Sequence, residues 1–85
     1  MFARKLRLEL VEGESARPAP KEWLEQYFMR NFIGLSVFDE TLVTGPGDLE
    51  TGWKVAPEEV KEHFEQWLRG RKLIGGGTQL QVRER

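Results

Sequence analysis

Leu6, Leu8 and Leu10 alternate with Lys5, Arg7 and Glu9 within residues 4–11. That period of two predicts a half-buried strand. Residues 12–19 (EGESARPA) combine Gly, Ser and Pro and read as a connecting loop. Pro20 suits the first turn of a helix, where its missing N–H costs nothing, and Glu22 follows near the positive end of the helix dipole. The spacing predicts helix 1 over residues 20–32. Residues 35–44 (LSVFDETLVT) are rich in strand formers but alternate imperfectly, with Asp39-Glu40 marking a bulge or a charged edge. Gly45-Pro46-Gly47-Asp48 is a strong turn signal, and residues 50–55 form a short strand with Trp53 and Val55 opposite Lys54. Helix 2 follows over residues 57–69. Gly70 and the basic run Arg69, Arg71 and Lys72 close it, and Gly75-Gly76-Gly77 bends the chain into a last strand over 78–83.

One unit is written twice. Ala19-Pro20, helix, Ile33-Gly34 and strand recur as Ala56-Pro57, helix, Ile74-Gly75 and strand. The expected order is β-α-β-β-α-β, an α+β fold of ferredoxin-like type. It has a four-stranded antiparallel sheet with two helices on one face. A local hairpin within 35–44 would give a different α+β sheet. The 85 residues suit a single domain, 1–85.

Composition narrows the function classes. There is no cysteine, hence no disulfide framework and no thiolate metal site, and 39% of residues are hydrophobic, enough for a core. The net charge of -1 is evenly spread, with no basic half and no acidic tail. No apolar run spans a bilayer and residues 1–10 lack a signal-peptide core, so a soluble, cytoplasmic protein is expected, with no membrane partner.

Catalytic signals are sparse. His63 is the only histidine, and Glu59 four residues before it makes an ordinary surface pair on one helix. Ser15, Ser36 and four threonines stand in no nucleophile motif, and Asp39 and Glu40, as strand neighbours, point to opposite faces. Gly75–Gly77 follow a helix and precede a strand, the reverse of a phosphate loop. The reading is non-enzymatic, with no cofactor and no metal.

Two surfaces remain. If the leucines face the helices, the open sheet face carries Lys5, Arg7, Lys54 and Arg83, candidates for nucleic-acid contact. RNA-recognition domains share the expected topology, but they stack bases on aromatics of the two central strands. Here the first strand reads Leu-Glu-Leu and the third has no such signature. The second surface is helix 1. Trp23, Leu24, Tyr27, Phe28 and Phe32 cover half of its cylinder, and Met29 and Ile33 intrude on the polar half. That is wider than the stripe of about 100° that packing on one sheet requires. Helix 2 has only the ordinary stripe of Val60, Phe64, Trp67 and Leu68. The favoured reading is a small protein-interaction module, an assembly subunit or inhibitor-type binder of a larger protein. It self-associates through helix 1, with Trp23, Tyr27, Met29 and Ile33 at the interface. The alternative is a nucleic-acid-binding module using the basic sheet face.

Overall fold

The computed structural model describes residues 3–28, 41–52 and 55–85. Its elements are β1 (Ala3–Glu12), β2 (Ser15–Pro18), α1 (Lys21–Phe28), β3 (Leu42–Gly45), β4 (Asp48–Gly52), α2 (Pro57–Gly70) and β5 (Gln79–Glu84). The fold is α+β: a five-stranded antiparallel sheet and two helices.

The long strand β1 organises the sheet. Along one margin it pairs with β5, from Leu6↔Glu84 to Val11↔Gln79. Along the other it pairs first with β4, from Ala3↔Gly52 to Arg7↔Asp48, and then with β2, from Glu9↔Pro18 to Glu12↔Ser15. Leu8 sits at the changeover. Its N–H donates to the Gly47 carbonyl at 2.6 Å, and its carbonyl accepts from the Ala19 N–H at 3.0 Å. No backbone group of Leu8 is left to either neighbour alone.

Strand β2 replaces part of the loop expected over 12–19. A two-residue connection at Gly13-Glu14, with Gly13 at φ 56°, folds the chain back on β1. All four β2 residues are exposed, so no apolar alternation marks the strand in the sequence. Of the expected strand over 35–44, residues 35–40 lie outside the described residues and β3 takes up Leu42–Gly45; Trp53 and Lys54 of the next one lie outside them too, as does the end of helix 1.

Alternation on β1 works as expected. Leu6, Leu8 and Leu10 are fully buried and share one core with Leu49 and Leu80 of the neighbouring strands. Both helices contribute to that same core, α1 through Leu24, Tyr27 and Phe28 and α2 through Val60, Phe64 and Leu68. Pro57 opens α2 with Glu58 and Glu59 in its first turn, where carboxylates favour the dipole. It ends at Gly70, where the glycine and the basic run were expected to close it. Lys72, not Gly70, takes the left-handed conformation at φ 59°, and the Leu73 N–H reaches back to the Leu68 carbonyl at 3.0 Å.

Gly47 is the glycine the fold requires. It lies at φ 73°, and a Cβ there would meet the Leu8 carbonyl oxygen at 2.7 Å and the Pro18 Cβ at 2.9 Å. Gly76 has open space around it and no positive φ. Gly47→Ala is therefore expected to lower stability by about 2–3 kcal/mol in urea unfolding. Gly76→Ala should stay within about 0.5 kcal/mol of the parent. Equal stability of the two variants would contradict the close approach at Leu8.

Candidate functional site

The described part of the helix 1 aromatic arc packs on helix 2. Tyr27 is 7% exposed, with ring centroids 4.9 Å from Phe28, 5.2 Å from Phe64 and 5.1 Å from Trp67. Trp67 in turn stacks on Phe64 and carries the Arg71 guanidinium 4.8 Å above its ring. Trp23 is half-buried against the core. Met29 and Ile33 lie outside the described residues. Of the four residues assigned to an interface, Tyr27 is thus covered by the chain itself, and Trp23 retains partial exposure. A single helix shows how wide its apolar arc is, but not that a second helix covers the flank.

The open sheet face carries interleaved charge. Arg7 lies between Arg83 and Asp48 in register, and Lys5 lies opposite Glu50. Arg7 contacts Asp48 at 3.0 Å and Glu9 at 3.7 Å and donates to the Pro46 carbonyl at 3.1 Å. Arg83 approaches Glu9 at 3.7 Å, and Arg85 approaches Asp48 at 3.2 Å. Each exposed pair contributes only about 0–1 kcal/mol to stability. Together they set Glu9 and Asp48 among the cations that a phosphate would need. Lys54, the fourth cation assigned to this face, is outside the described residues.

The β5 edge is a surface that alternation did not reveal. The Arg85 N–H donates to the Lys5 carbonyl at 2.8 Å, which continues the register of β1 and β5. In an antiparallel ladder, residues 79, 81 and 83 then bond inward to β1, and Leu80, Val82 and Glu84 turn their backbone groups outward. Helix α2 covers the start of this edge. Glu65 accepts the Leu80 N–H at 2.7 Å, and Arg69 donates to the carbonyls of Gly75 at 3.1 Å and Thr78 at 2.9 Å. Lys61 and Arg69 flank Glu65, each at 3.7 Å. The outward N–H and carbonyl groups of Val82 and Glu84 have no partner among the described residues. Beside them runs a shallow groove of about 310 Å³ lined by Val11, Lys61 and residues 79–82.

Catalytic candidates do not converge here. His63 is exposed on α2 and Ser15 is exposed on β2, neither lines the groove, and Asp39 is outside the described residues. Among the described residues, no group of three or more His, Asp or Glu could hold a metal ion. No described helix is long and apolar enough to cross a membrane. Comparison with family models, curated proteins and solved structures finds no match.

Burial pushes the Tyr27 hydroxyl from its ordinary 10.0 up to about 12. The folded protein thus holds that proton more tightly than the unfolded chain does. The resulting stability is fully present below pH 10 and is lost as pH rises from 10 through about 12. A shift of this size corresponds to roughly 2–3 kcal/mol. Urea unfolding should show wild type losing stability relative to Tyr27→Phe above pH 10. Parallel pH profiles for the two proteins would contradict a buried Tyr27.

Proposed function

We propose that this chain is a small protein-interaction module that works by strand addition at the open part of the β5 edge. The observation that carries the reading is the pair of outward, unpartnered backbone positions at Val82 and Glu84, beside a groove that Lys61 flanks. A strand laid there gains main-chain hydrogen bonds, and the groove takes its alternate side chains. Natural sheet edges are usually blunted by bulges, proline or charged side chains, or are covered. Here α2 covers residues 78–80 through Glu65 and Arg69, and the next stretch, Gln81–Glu84, contains no proline and carries the opposite charges of Arg83 and Glu84. In this reading helix 1 plays a lesser part, with Trp23 half-exposed among its described residues.

The scaffold we propose is the ferredoxin-like βαββαβ unit with an inserted hairpin arm. The order β5-β1-β4-β3 across the sheet supports it, with β2 laid on the remaining length of β1. In such a sheet β5 and β3 are the two edges, and this reading uses β5.

Glu84→Pro removes an outward N–H and leaves the inward ladder intact, since proline is tolerated where the N–H faces solvent. The variant should fold as wild type does. It should lose most of the protein that wild type retains, whether from the host extract or as copies of itself. Equal retention by Glu84→Pro, with loss on Trp23→Lys, would overturn the edge in favour of helix 1. No retention by any form would overturn the interaction reading altogether.

A further inference from the structure

The open stretch of β5 is short, and laid against itself in reverse about Val82 it opposes no like charges. We infer that its partner is a second copy of this chain, paired antiparallel about a two-fold axis at Val82. The inference rests on the edge reading above. A perpendicular two-fold joins the two sheets edge to edge and opposes only residues of the same face, so few registers exist.

With Val82 opposite Leu80 of the second copy, the ladder needs the Leu80 N–H and the Thr78 carbonyl. Those groups are held by Glu65 at 2.7 Å and Arg69 at 2.9 Å. With Val82 opposite Glu84, the central pair becomes Arg83 against Arg83, and like charges directly opposed are destabilising. Val82 opposite Val82 avoids the Thr78 carbonyl and the opposed arginines, and forgoes only the bond from the Leu80 N–H, held by Glu65, to the Glu84 carbonyl of the other copy. The two Val82 residues exchange N–H and carbonyl bonds, and each Glu84 N–H donates to the free Leu80 carbonyl of the other copy. The helix caps stay in place. On the open face Gln81 meets Arg83 of the second copy, an amide against a guanidinium. On the helix side Glu84 of the second copy arrives opposite Leu80, which shares the groove with Lys61. Glu84 pairs with Arg4 at 3.2 Å in its own chain and Lys61 with Glu65 at 3.7 Å, so the second copy sets two exposed ion pairs beside one another in this groove, once on each side of the axis.

The chain has no cysteine, so any disulfide formed by a single introduced cysteine joins two chains. In the Val82 register the two Cα atoms stand about 5.5 Å apart, within the span of about 4.4–6.8 Å that a disulfide bridges. Two copies of residue 81 are offset by two residues along the strands and lie beyond it. Val82→Cys should therefore form a disulfide dimer about ten times faster than Gln81→Cys under the same oxidant. Light scattering should give wild type twice the chain mass and Glu84→Pro a single chain mass. Wild type that stays monomeric at millimolar concentration, with Val82→Cys linking no faster than Gln81→Cys, would overturn the second copy. If Glu84→Pro then still abolishes retention of host protein, the edge reading survives and only the partner was wrong. A dimer that links through Gln81→Cys and not through Val82→Cys would overturn the register.

Discussion

Leu8 bonds its backbone across to two different segments, the turn before β4 and the residue after β2. The rest of the structure depends on that junction. Elsewhere on this margin β1 is laddered to one strand at a time, but at Leu8 it passes from β4 to β2 without a gap. The arrangement works because Gly47 approaches within a distance that no side chain allows, and because Ala19 is small enough to be fully buried beside it. Its side chain completes the link, since Leu8 is buried between Leu6 and Leu10 in the core that both helices share. One residue therefore ties hairpin arm, central sheet and helix layer together.

The same geometry decides which surfaces are left over. Strand β1 is paired on both margins, so the sheet can extend only at its outer strands. At β5 the helix α2 does two jobs. Its apolar stripe covers the core face, and its Glu65–Arg69 pair ties down backbone groups at the start of the edge. A charge-assisted hydrogen bond to an edge amide contributes more than a surface ion pair does, because the alternative is an amide exposed to any competing strand. Protection stops after Leu80, so the unpaired part of this edge is only a few residues long.

Much of this was legible in the sequence, and the rest was hidden for identifiable reasons. Leu6, Leu8 and Leu10 announced β1 because burial on one face imposes a period of two. Ala56-Pro57 and the acidic turn after it announced α2, and Gly45-Pro46-Gly47-Asp48 announced the turn between β3 and β4. Strand β2 gave no such sign, because Ser15–Pro18 are exposed on both faces and only pairing makes them a strand. Tyr27 was legible as part of the helix 1 arc, but its cover was not: it is matched by Phe64 and Trp67, some forty residues away in the chain. Alternation in β5 told which face was buried. It carried no information about which margin was free, since that depends on where β1 places its other partners.

Native-state amide hydrogen exchange tests the central role of β1 most directly. If the sheet is tied together at Leu8, its amide exchanges only when the whole protein unfolds, with the same denaturant dependence as global unfolding. An amide at Leu8 that opens by local fluctuation, faster than those in the middle of α2, would contradict the account.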